Sequence, residues 1–256
     1  APTFGAEPVQ ANVPTQSISA PKGDAPKADV PKTDVPKADV PKTDVPKADV
    51  PRPDDVKTGE INEQTPHKEA NPSTFTGTSV ISESKTFEHQ RFDNTTSDQN
   101  SFIGKNKATI TIDSSVFDKT GNTTNDDNSN FRGQNAVVLG IEGSQTSIKN
   151  SNITSNSIGS NAVFATGEGS VINVENTNIH TKGDSSRGLD ATYKGTVNGK
   201  NLTITTEGAH AATLATDRGE GTITAEAAKL TTSGTGSPVI YSTGNITANN
   251  VNGVAN

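Results

Sequence analysis

The chain has 256 residues, a formal net charge of −7, 29% hydrophobic residues and no Cys, Met or Trp. Without Cys there is no disulfide framework, no thiolate zinc site and no Cys nucleophile. Acidic residues outnumber basic ones in residues 1–100 (16 against 11) and in 101–256 (13 against 11), so neither half offers the basic surface that nucleic acid requires.

No apolar run approaches the ~20 residues of a transmembrane helix, so no transmembrane segment is expected. The start at Ala1-Pro2-Thr3, with no Met, fits a secreted chain whose signal peptide has been removed. From Pro21 a five-residue unit recurs as PKGDA, PKADV, PKTDV, PKADV, PKTDV, PKADV and then PRPDDV. Each Pro fixes φ near the polyproline value and holds the preceding residue extended. One Val per unit builds no core, so residues 1–72 are expected to form a disordered N-terminal tail. At about 3.1 Å per residue this block could reach roughly 100 Å as a spacer.

Residues 73–256 read as a β-solenoid. The run ATITIDSSVF (108–117) is a strand candidate, and GNTTNDDNSNFRG (121–133) reads as a surface loop between coils. Within it, Asp126, Asp127 and Asn128 carry oxygen ligands of the kind Ca²⁺ takes. A solvated loop is the plainer reading, and neither metal nor cofactor is expected. Five N-x-[ST] sequons, at Asn94, Asn122, Asn152, Asn201 and Asn245, are candidate N-glycosylation sites.

After residue 130 one pattern recurs: a small apolar patch, a glycine turn, a β-rich run and another turn. The patches start at Asn135, Asn161, Arg187, His210 and Ser237. Ile153, Ile179, Ile204 and Leu230 mark the same period, near 25 residues, in the β-rich runs. That period is too short for propeller blades, carries no leucine ladder and lacks helical apolar spacing. It predicts stacked coils of two or three short parallel strands, about 4.8 Å apart, with the four marker residues in one inward column. Gly140, Gly143, Gly167, Gly169, Gly195, Gly219 and Gly221 are expected to occupy the turns, where positive φ is easily reached. Solenoid ends need caps, and none is evident after the last strand candidate. Either the sequence is a fragment, or end-to-end contact with another chain covers that coil.

The segments GDSSRGLDATYKGT (183–196), GAHAATLATDRGEGT (208–222) and SGTGSPVIYSTGNIT (233–247), with GQNAVVLGIEG (133–143) and GSNAVFATGEG (159–169), carry a family resemblance. Residues 75–256 resemble secreted β-helix proteins of bacteria and fungi described as adhesin-like or carbohydrate-binding. The resemblance implies an all-β, right-handed parallel β-helix of the pectin-lyase-like type and an extracellular or cell-surface location. It implies no established activity.

Charged residues of the repeats concentrate at Asp184, which reads as a turn cap, and at Arg187, Asp190, His210, Asp217 and Arg218. With His210 one coil from Arg187 and Thr213 one coil from Asp190, the last five form a candidate binding patch for a glycan or other cell-surface ligand. Inverting glycosidases need two carboxylates roughly 6.5–9.5 Å apart. The clustered Asp pairs and Gly-His-Gly turn of polygalacturonases are absent, so no residue is assigned a catalytic role. The expectation is a non-enzymatic, adhesin-like binding protein. The alternatives are a polysaccharide lyase or glycoside hydrolase, and a structural module of a wall or coat.

Overall fold

The structure is a computed structural model that describes residues 69–256. Apart from residues 69–72, the expected tail lies outside the described residues. Seven coils follow one another, joined by tight turns. The first three have three strands each: β1 (Thr76–Ile81), β2 (Lys85–Glu88) and β3 (Arg91–Asn94); β4 (Gln99–Gly104), β5 (Thr109–Asp113) and β6 (Val116–Lys119); β7 (Val138–Gly140), β8 (Gln145–Lys149) and β9 (Asn152–Ser155). A short helix, α1 (Asp126–Arg132), interrupts the path between β6 and β7. In the last four coils the second and third strands merge into one long strand. These pairs are β10 (Val163–Thr166) and β11 (Val171–Thr181), β12 (Leu189–Thr192) and β13 (Thr196–Thr206), β14 (Leu214–Thr216) and β15 (Thr222–Thr232), β16 (Ile240–Ser242) and β17 (Asn245–Ala255).

Strand pairing is parallel throughout, and the fold is a parallel β-solenoid with about 25 residues per turn. The first strands of the coils form a seven-stranded sheet in the order β1-β4-β7-β10-β12-β14-β16. The remaining strands build a second sheet whose main path runs β17-β15-β13-β11-β8-β5-β2. The expected inward column exists. Phe92, Phe117, Ile153, Ile179, Ile204 and Leu230 pair one on the next, and all are buried. A second column runs Phe87, Ile112, Ile148, Val174, Gly199, Ala225 and Ala248. The core therefore narrows along the axis. Four phenylalanines cluster at its start, with Phe92 stacked 4.8 Å from Phe117, while glycine and alanine occupy its far end.

The outer turns of the second sheet hold side-chain ladders. Ser114, Asn150, Asn176, Asn201, Ala227 and Asn250 all have φ between 48° and 55°. Asn201 Nδ2 donates to Asn176 Oδ1 at 3.1 Å, and Asn150 Nδ2 to Asp113 Oδ1 at 3.0 Å. Asn tolerates the left-handed region better than other residues with a Cβ, so one residue type serves both the turn and the ladder.

Two expectations are corrected. Residues 126–132 form a helix rather than a solvated loop. Asn125 caps it by accepting from the Asn128 amide at 3.0 Å, Asp126 and Asp127 lie in the first turn, and Gly133 ends it in the left-handed region at φ 78°. Three of the turn glycines do not have positive φ. Gly140 lies within β7, and a Cβ there would sit 3.0 Å from Ile172. Gly195 and Gly221 are needed for close approach: a Cβ would fall 2.3 Å from the Ala165 carbonyl oxygen and 2.1 Å from that of Ala191.

Candidate functional site

The first sheet has an inner face packed on the core and an outer face that is only partly covered. Leu189 and Ala191 point into the core, so Asp190 between them points outward. In register on that outer face run Val80, Ile103, Leu139, Phe164, Asp190, Ala215 and Tyr241. Ile103, Leu139 and Phe164 are fully buried in a satellite core with Phe75, and Ala70 packs against it. Segment 69–75 is tied to α1, the Ala70 amide donating to Asn128 Oδ1 at 2.9 Å. Further along the same column lies a groove of about 350 Å³, lined by Asn130, Ser185, Arg187, His210, Asp217 and Tyr241 among others.

Three of the five sequence-derived candidates, Arg187, His210 and Asp217, line this groove. Arg187 is held by its Nη1, which donates to Asn130 Oδ1 at 2.7 Å and to the Ser185 carbonyl at 3.4 Å. His210 is exposed on a left-handed turn (φ 53°), its ring above Gly236, whose added Cβ would lie 3.0 Å from Nδ1. Asp217 follows β14, its amide donating to the Ala191 carbonyl at 3.4 Å. Asp190 is not in the groove wall. It has no exposed surface, and neither carboxylate oxygen has a well-formed hydrogen bond, the Ala191 amide only weakly offsetting burial. Burial pushes its pKa up to about 7; Arg187 opposes the rise and the Asp217 charge adds to it. Asp217 is also raised, chiefly by burial, against the pull of Arg187 and Arg218.

Arg218 serves a different purpose. Its Nη1 donates to Glu69 Oε1 at 2.6 Å, and its guanidinium lies 3.7 Å from the Phe131 ring centroid. The other Glu69 oxygen accepts from Arg132 Nε at 2.7 Å and from the Tyr193 hydroxyl at 2.6 Å. Arg132 in turn stacks 3.8 Å over the Tyr193 ring. Two cations and a phenol thus pin one carboxylate from the stretch expected to be tail.

The sequence-derived register is corrected here. Asp190 pairs with Ala215 rather than Thr213, and the Gly188 amide donates to the Ala212 carbonyl. The repeat that appeared to start at His210 therefore starts two residues later, and the uneven spacing around it disappears. Sequence reasoning also missed Asn130, Tyr241, Glu69 and Tyr193. A signal was present: the chain has only two tyrosines, and both lie on this face.

The sequons are placed unequally. Asn122 and Asn245 are exposed. The Asn94 side-chain amide is buried and donates to Thr78 Oγ1 at 3.0 Å and Gln99 Oε1 at 3.1 Å, bonds that a glycan would break. Asn201 spends its amide in the asparagine ladder, and Asn152 lies half-buried within β9. Among the described residues, no group of three or more His, Asp or Glu side chains is placed to hold a metal ion, and no helix is long and apolar enough to cross a membrane.

Comparison with known proteins gave no matching family model, no matching curated relative and no matching solved structure. The chemistry of the groove must therefore be read from its own residues. It combines a half-exposed aromatic ring, a fixed guanidinium, an imidazole, an amide and one accessible carboxyl. Two-carboxylate hydrolysis needs a second carboxyl that reaches substrate. Asp190, with no exposed surface, does not supply it.

Proposed function

We propose that this protein is a non-enzymatic, extracellular or cell-surface binding solenoid of the adhesin-like kind, and that the groove on its first sheet takes a glycan. The observation that carries this reading is the side chain of Tyr241, 47% exposed, in the same groove as Arg187, His210, Asp217 and Asn130. An aromatic face packs against the C–H surface of a sugar ring, while planar polar side chains held by their own hydrogen bonds address its hydroxyls. The resemblance to secreted β-helix proteins points the same way.

The test is a glycan array followed by calorimetric titration of the full chain with the best hit. Tyr241→Ala is expected to weaken binding about tenfold, the equivalent of 1.4 kcal/mol, with thermal unfolding unchanged. Absence of binding across the array, or binding unaffected by the substitution, overturns the proposal.

A further inference from the structure

We propose that the inner end of this groove, at Asp217 with Asp190 behind it, receives a protonated amine, so that the glycan taken is an amino sugar with its amine free. This inference rests on the glycan reading above and sharpens it to a ligand class.

The argument begins with Asp190. Among the described residues, the buried side-chain polar atoms without a well-formed hydrogen bond are Asn100 Oδ1, Thr146 Oγ1 and both oxygens of Asp190. An ionised carboxyl in that state lacks the hydrogen bonds that normally offset desolvation. The protein's other deeply buried ion is treated differently. Lys119 has no exposed surface, yet its ammonium donates to the carbonyls of Thr96, Thr120 and Gly121. The fold thus satisfies one buried charge from its own backbone and leaves the other open beside a groove.

The charges around Asp190 are unbalanced. The only cation that acts strongly on it is Arg187, whose Nη1 is committed to Asn130 and Ser185. No ion pair within 4.0 Å joins Arg187 to either Asp190 or Asp217. Arg218 and Arg132 are both spent on Glu69. His210 lines the groove, and Tyr241 sits two coils from Asp190 in the same outer column, about 10 Å at one strand spacing per coil. With both aspartates ionised, Arg187 is shared between two carboxylates, Arg218 acts on Asp217 while paired with Glu69, and neither aspartate has a side-chain hydrogen bond.

A ligand ammonium supplies what is missing. It donates to Asp217, the carboxyl that lines the groove, and its charge acts on Asp190 through a short, poorly screened path. Asp190 is a positioning residue in this scheme. Its raised pKa means that a bound cation favours loss of its proton, so binding releases a proton near neutral pH.

The experiment is calorimetric titration of the full chain near neutral pH with four probes: glucosamine oligomers, the matching N-acetylglucosamine oligomers, oligogalacturonate and a lysine-rich peptide. Glucosamine oligomers are expected to bind about tenfold more tightly than the acetylated ones, the scale of one charge-assisted hydrogen bond. Asp217→Asn is expected to erase that preference. Asp190→Asn is expected to keep part of the affinity while abolishing proton release, measured as loss of the dependence of binding enthalpy on buffer ionisation. Equal or tighter binding of the acetylated or uronic oligomers, or a preference that survives Asp217→Asn, overturns the inference and leaves the glycan reading standing. Binding of a lysine-rich peptide with no oligosaccharide binding overturns both.

Discussion

One outer column of the first sheet has two unlike halves. Ile103, Leu139 and Phe164 form a satellite core with Phe75 and Ala70, whereas beyond them Asp190 and Ala215 are buried at a polar stretch and Tyr241 opens into the groove. Backbone pairing is the same parallel ladder in both. What differs is the side chain offered at each step: three large apolar residues build a satellite core, while the next steps offer a buried carboxyl, a buried methyl group and an exposed phenol. The core changes in step, from clustered phenylalanines under the covered half to Gly199, Ala225 and Ala248 further on. A regular solenoid can thus devote one stretch of a face to stability and leave the next for binding.

Four substitutions test that division, beginning with the largest expected effect. Phe164→Ala empties the centre of the covered half, where the ring is fully buried near Leu139 and Gly133. It should cost about 3–5 kcal/mol in urea unfolding. A loss below about 1 kcal/mol would mean that the cover contributes little.

Glu69→Ala removes the acceptor shared by Arg132, Arg218 and Tyr193, whose side chain is 8% exposed. The expected loss is about 2 kcal/mol, because two cations are left near one another without their anion. Faster hydrogen exchange at α1 should accompany it.

Asp190→Asn addresses the buried carboxyl beside the groove, and its sign depends on pH. The folded-state pKa is raised to about 7, so between the usual carboxylate value and 7 the folded chain holds a proton that the unfolded chain has lost. Stability is therefore expected to fall as pH rises through that window, with the full penalty present above it. The substitution should flatten the dependence and stabilise the protein above pH 7, on the order of 1–3 kcal/mol. Thermal unfolding of both proteins across the range would show it; parallel curves would remove the buried carboxylate as the cause.

Ala227→Asn is the mildest. Ala227 holds φ 55° at the one step where the asparagine series after Asn150 is broken, between Asn201 and Asn250. Asn pays less for that conformation and can donate to Asn201, so a gain of about 1 kcal/mol is expected. A loss of stability would show that the ladder is not the source of order at that turn.

The inward column of Ile153, Ile179, Ile204 and Leu230 was legible in the sequence, because a large aliphatic residue recurs there every 25 or 26 residues. Helix α1 was not read from the sequence: Asn125, the acidic first turn and Gly133 that bound it lie in a polar run that reads as loop. The patch was read with a slip of two residues at His210. Turn residues of similar composition can be aligned in more than one way until hydrogen bonds fix the register.

The amino-acid sequence alone determined the period, the strand class and the inward residues, since these follow from local alternation repeated along the chain. Tertiary structure decided which outward residues are covered and which are open. Burial of Asp190, the pinning of Glu69 by residues 63 to 149 positions away and the placing of Tyr241 and Asn130 in one groove all join several coils. No local pattern encodes them, because each depends on how far an excursion such as α1 reaches over the sheet before the chain rejoins the stack.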